Sequence, residues 1–77
     1  MTCTICTDLV QLADEAILAN QTIDDVKNLL YNFCNILVGM EDDCKAFVDE
    51  NVEKVIDLLV NEYLNPTEIC EKLNLCP

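Results

Sequence analysis

Six cysteines and fifteen carboxylates are the side chains of this 77-residue chain with chemistry to offer. The thiols stand at Cys3, Cys6, Cys34, Cys44, Cys70 and Cys76. Thiols in such numbers bind metal, cycle redox state or form structural disulfides. Zinc sites are built from close cysteine pairs, often completed by histidine. Here only Cys3 and Cys6 have that spacing, Cys70 and Cys76 are too far apart, and the chain has no histidine. Cys3-Thr-Ile-Cys6 has the outline of a redox pair, but the later cysteines offer both residues other partners. The expected use is therefore structural disulfides, with no metal and no cofactor. Disulfides imply an oxidising compartment, so the chain is expected to be secreted or held in a lysosome-like vesicle or granule. Export needs a leader, so a precursor with one is expected, and Met1 is then an added start.

The carboxylates set the second limit. Fifteen acids face four lysines, giving a net charge of -11 at pH 7 and a pI near 4.1. Such a surface repels nucleic acid and, at neutral pH, anionic lipid. Between about pH 5 and 4 most of that charge disappears, because reference carboxylate pKa values lie close to 4. Asp49 with Glu53, and Glu53 with Asp57, are like charges four apart on one helical run, and Glu50 is close by. Each pair opposes its helix while ionised. Asp49, Glu50, Glu53 and Asp57 are thus the candidate pH switch. Acid pairs also serve glycosidases, but those need a rigid cleft that so short a chain hardly supplies. With no histidine, arginine or serine either, no enzyme is expected.

The elements that carry these groups read as helices throughout. Cys6, Leu9, Val10, Ala13, Ala16 and Ile17 recur at threes and fours, so a helix is expected over 5–19. Thr22 is a good N-cap, with Asp25 three residues on. Ile23, Val26, Leu29, Leu30, Phe33, Cys34, Leu37 and Val38 then give a helix over 23–38. Gly39, the only glycine, is a stop signal, and Glu41, Asp42 and Asp43 open the next run. That run reaches about Leu64, with Asp49-Glu50-Asn51 as its weak point, so it is one bent helix or two. Asn65-Pro66-Thr67-Glu68 starts a last helix over about 66–73. No strand signal or linker competes, and residues 1–77 read as one all-α domain. No apolar run approaches the roughly 18 residues that span a bilayer.

A chain this short buries little surface, so covalent staples are expected. Cys34 and Cys44 flank the Gly39 turn and should pair. Cys3 with Cys6 would close a strained local loop. The four outer cysteines should therefore join the two ends of the chain. If those ends run antiparallel, Cys3 meets Cys76 and Cys6 meets Cys70.

This framework of cysteines with amphipathic helices between them resembles the saposin-like (saposin B-type) family over essentially the whole chain, in size and pattern close to small amoebic members and single saposins. The resemblance implies four to five helices, three nested disulfides and a leaf or V that can open. It also implies lipid as the partner, whether anionic phospholipid or sphingolipid. Some members present lipid to a hydrolase, and others transfer lipid, permeabilise membranes or fuse them. Pore-forming members are usually richer in basic residues, and the amoebic ones use a histidine near the C-terminus as an acid switch. This chain has only Lys27, Lys45, Lys54 and Lys72, and no histidine. An acid switch here must use carboxylates.

The expected function is therefore binding and perturbing or fusing anionic membranes in acid. The alternatives are a lipid-presenting or lipid-transfer activator of a lysosomal hydrolase, a pore-forming cytolytic protein, and an interaction domain without lipid. Lipid-facing candidates are Leu9, Ile17, Val26, Leu30, Phe33, Leu37, Phe47, Val55, Leu59 and Tyr63. Their surplus apolar surface can line an acyl-chain cavity or drive a homodimer. The four lysines are candidates for lipid-phosphate contact once the acids are neutral. Asn20-Gln21-Thr22 is a glycosylation sequon at the turn after the first helix.

Overall fold

The computed structural model describes all 77 residues as four helices: α1 (Cys3–Leu18), α2 (Ile23–Ile36), α3 (Glu41–Val60) and α4 (Pro66–Lys72). The starts follow the capping chemistry of the sequence. The Thr22 hydroxyl accepts from the Asp25 N–H at 3.1 Å, and Thr2 does the same for Ile5 at 3.2 Å. At α4, Asn65 accepts from the Glu68 N–H at 2.8 Å, and the Glu68 carboxylate accepts from the Asn65 N–H at 3.3 Å. These reciprocal bonds form a capping box, with Pro66 at the first position.

The stops differ in detail from the periodic pattern. α1 and α4 both end in an asparagine in the left-handed region, Asn20 at φ 61° and Asn74 at φ 62°. After α1, the Gln21 N–H donates to Ala16 O and the Asn20 N–H to Ile17 O; after α4, Leu75 and Asn74 repeat this with Cys70 and Glu71. These are Schellman closures, which favour a residue that tolerates positive φ. α2 ends at Ile36, two residues short of the pattern, because Leu37 leaves the helix and Gly39 turns the chain at φ 84°. α3 ends at Val60. Tyr63 adopts φ 54°, and the Leu64 N–H returns to Leu58 O at 3.2 Å. Leu64 reads as helical because it packs on the core, but it does so from the loop. Pro66 disfavours helical geometry at Asn65 just ahead of it.

α3 is unbroken at Asn51. The Asn51 side-chain amide donates to Phe47 O one turn back at 3.1 Å, and buried Val48 and Val52 hold the register around it. The core holds fifteen buried residues, all apolar, and no polar or charged residue is buried. α1 packs on α4, α2 packs on α3, and α1 also leans on α2 and α3. The result is a flattened body of 33 × 29 × 17 Å.

Candidate functional site

Cross-links divide the four helices into two pairs. Cys3–Cys76 and Cys6–Cys70 tie α1 to the C-terminal segment, with Cα separations of 4.8 and 6.1 Å. Cys34–Cys44 ties α2 to α3 across the Gly39 turn, at 5.4 Å. The expected nested pairing is the one observed. α2 and α3 are joined again halfway along: the Tyr31 hydroxyl donates to the Asp49 carboxylate, and Lys27 Nζ lies 3.6 Å from the same carboxylate. Lys27 also sits 5.8 Å from the centre of the Tyr31 ring. No side-chain hydrogen bond or ion pair joins the α1–α4 pair to the α2–α3 pair. Apolar packing and the two connecting turns alone hold the pairs together.

The lipid-facing candidates fall into distinct places. Leu9, Val26, Leu30 and Val55 are core residues, shut off from any surface in this closed form. Leu9, Leu30, Phe47 and Val55 meet around a wholly apolar cavity with Val10, Val48 and Val52. Its volume is about 10 Å³, room for roughly one water and far too little for an acyl chain. Leu9, Val26, Leu30 and Val55 reach a surface only if the pairs separate, whereas Phe47 is half-buried. Phe33 is half-buried beside a shallow cleft with Asp8, Gln11, Leu12 and Glu15, and Leu37 is half-buried at the tip. Ile17, Leu59 and Tyr63 meet where α1 and α3 end, in an open groove of about 600 Å³. Sequence periodicity did not reveal this groove. Leu18, Val60, Leu64 and Pro66 complete it from helix ends and a loop, where no helical face continues.

The charged candidates also separate. Asp49 is engaged by Tyr31 and Lys27, whereas Glu50, Glu53 and Asp57 are exposed. Asp57 accepts from the Asn61 side-chain amide. Lys45 is half-buried, and Lys54 and Lys72 are exposed. Of the lysines only Lys27 makes an ion pair. The favourable spacings Glu50–Lys54 and Glu68–Lys72 form none: exposed pairs gain little over hydration, and Glu68 is turned back to cap α4. The hydrogen bond to Asp49 holds the Tyr31 hydroxyl above its ordinary value. Contact with Tyr31 first, and with Asp49 after it, raises the Lys27 ammonium. The one signal for this cluster in the sequence is Lys27 and Tyr31 four apart on α2; only the packing of α3 brings Asp49 to them.

Asn20 is exposed on its turn, with Thr22 capping α2 two residues on. No group of three or more histidine, cysteine or acidic side chains is placed to hold a metal ion. No helix is long and apolar enough to cross a membrane.

Comparison with known proteins agrees with this architecture. Residues 1–37 match region 1, and residues 42–76 match region 2, of the saposin-like type B family. Prosaposin of Gallus gallus is 29% identical over 76 residues, and prosaposin of Mus musculus 30% identical over 76. Each alignment covers 96% of this chain but only 15% and 14% of the respective relative, so the chain spans about one seventh of their length. No solved structure gives a significant match. With its four helices, its three bridges and both family regions in order, the chain belongs to the saposin-like type B family.

Proposed function

We propose that this protein binds lipid membranes in acid, through protonation of its carboxylates, and perturbs or fuses anionic bilayers. The family is lipid-associated and non-catalytic, and lipid is the general class of partner it implies. The observation that carries the finer reading is the division of cross-links. Separating α1–α4 from α2–α3 breaks no disulfide and no side-chain hydrogen bond, and it uncovers Leu9, Val26, Leu30 and Val55. Burying that apolar surface in lipid offsets the loss of the core, at roughly 25 cal/mol per Å² on either side. At pH 7 the net charge of -11 holds the protein away from anionic lipid. Acid removes that barrier and leaves Lys27, Lys45, Lys54 and Lys72 to meet phosphate.

The prosaposin likeness supports a secreted or lysosomal setting, and the exposed sequon at Asn20 supports glycosylation there. The test is a set of vesicle assays with phosphatidylserine-containing liposomes at about pH 4.5 and pH 7.4. Lipid mixing without leakage in acid supports fusion, and leakage points to a pore. Lipid transfer without either supports a lipid-presenting or lipid-transfer role beside a hydrolase. Binding that is flat across the pH range overturns the acid mechanism.

A further inference from the structure

The groove where α1 ends and α3 gives way to α4 is exposed and largely apolar, with an acid and no base in its wall. Ile17, Leu18, Leu59, Val60, Tyr63 and Leu64 line it. Leu18 is 75% exposed and Tyr63 87%, two of the most solvent-exposed large apolar side chains in the molecule. Tyr63 stands out at φ 54°, a backbone region that bulky residues seldom occupy. Asp14 belongs to the wall, exposed Glu62 precedes Tyr63 in the chain, and Glu15 lines the separate cleft beside Phe33. None of the four lysines lines the groove, and Lys27 is committed to Asp49.

That charge distribution selects the occupant. A second copy brings the same acids and a net charge of -11, so two such faces repel at neutral pH. An anionic bilayer is repelled for the same reason. A surface that offers apolar side chains framed by lysine or arginine meets both halves of the pattern. Aromatic and aliphatic anchors give the affinity, and opposite charge at the rim gives the encounter rate and register.

We infer that this groove docks a basic amphipathic segment of another protein, at neutral pH and without lipid. The test uses the intact disulfide-bonded protein, isotopically labelled, titrated with a synthetic leucine–lysine amphipathic helix at neutral pH. The control peptide has the same composition, scrambled so that its leucines do not share a face. Amide shifts should concentrate at residues 14–18 and 59–65 with the amphipathic peptide alone. The double variant L18S/Y63S should bind it about tenfold more weakly. Its changed side chains are exposed, and its circular dichroism should match the parent. D14N/E62Q should weaken binding a few fold and flatten its salt dependence, as expected of rim charges.

Equal binding of the scrambled peptide, shifts spread along every acidic helix, or undiminished binding by L18S/Y63S overturns the proposal. So does a loss, in L18S/Y63S, of binding to phosphatidylcholine vesicles with peptide binding intact, which makes the groove a membrane contact. Self-association abolished by the same variant, again with peptide binding intact, makes it a dimer face and overturns the proposal equally. The titration contains no lipid and no acid, so its outcome is separate from that of the vesicle assays.

Discussion

Tyr31 on α2 donates its phenolic hydrogen bond to Asp49 on α3, eighteen residues further along, and this contact with Lys27 is the only polar side-chain link between different helices. It lies on the same helix pair as Cys34–Cys44 and so adds a second fastening to a hairpin that the disulfide already closes. The bridge and this contact both hold α2 to α3, and the seam with α1–α4 is left to apolar packing.

The fastening has a pH signature at the alkaline end. Tyr31 and Lys27 are both raised from ordinary values of 10.0 and 10.5. Groups raised in the folded state contribute stability that is full below their unfolded pKa and lost as pH rises through the folded one. The contact is therefore intact at pH 7 and, at the alkaline end, is lost above about pH 10. An ultraviolet titration of tyrosine should show one phenol ionising late, and Y31F should remove that late step. In D49N the late step should move down toward the ordinary range. A late step that persists in Y31F contradicts the contact.

The three bridges should not contribute equally. Cys34–Cys44 closes its own loop with a sequence separation of 10. Cys3–Cys76 and Cys6–Cys70, with separations of 73 and 64, are nested, so with one intact the other closes only short extra segments. Loop entropy then assigns about 2–3 kcal/mol to the central bridge and about as much to the outermost one removed alone, so burial decides between them. Cys3 and Cys76 are only half-buried, so serine there leaves little core unfilled. Urea unfolding should show C34A/C44A destabilised more than C3S/C76S. The reverse order would mean that strain or residual structure in the unfolded chain outweighs the core packing of Cys34 and Cys44.

How far the fold can be read from the residues follows from where the information lies. Thr22 and the Asn65–Glu68 box are local signals that act within a turn of themselves and mark their boundaries correctly, whereas Gly39 marks the turn but not the end of α2, which stops at Ile36. The bridges follow once the cysteines sit at the ends of an antiparallel frame. Periodicity overran at Leu37 and Leu64, because burial there comes from loop residues folding back on the core. It also could not divide the apolar stripe into core and surface. Val55 and Leu59 stand four apart on one stripe, yet one is buried and the other lines an open groove. That outcome depends on which helix lies opposite, and the Asp49 contact depends on the same thing.

Asn20 closes the turn after α1 and also heads a sequon, and substitution can separate the two features. Its backbone sits at φ 61°, where glycine is unstrained and alanine costs about 1–2 kcal/mol. N20G should therefore keep near-parental stability while removing the sequon, whereas N20A should lower the unfolding midpoint. Expression in a glycosylating host then reads occupancy directly: a mass decrease equal to a glycan in N20G means that the site is used. T22S should keep both the sequon and the cap of α2, but T22A should lose the glycan and about 1 kcal/mol of helix stability.

The acid response should follow the exposed carboxylates of α3. Glu50, Glu53 and Asp57 crowd the solvent side of this helix, while Asp49 is occupied by Tyr31 and Lys27. The triple variant E50Q/E53Q/D57N brings the net charge from -11 to -8 and relieves the like-charge pairs on the helix. Binding to phosphatidylserine vesicles should then begin at a higher pH than in the parent. Binding of a hydrophobic dye, as Leu9, Val26, Leu30 and Val55 become accessible, should rise over the same interval. Parent and variant should also differ less in high salt, because exposed charges are screened within about 10 Å at 0.1 M ionic strength. If vesicle binding moves but dye binding does not, charge governs approach to the membrane while the helix pairs stay closed. If neither moves, α3 carries solubilising charge only, and the acid dependence must be sought in Asp8, Asp14, Glu15 and the other acids outside it.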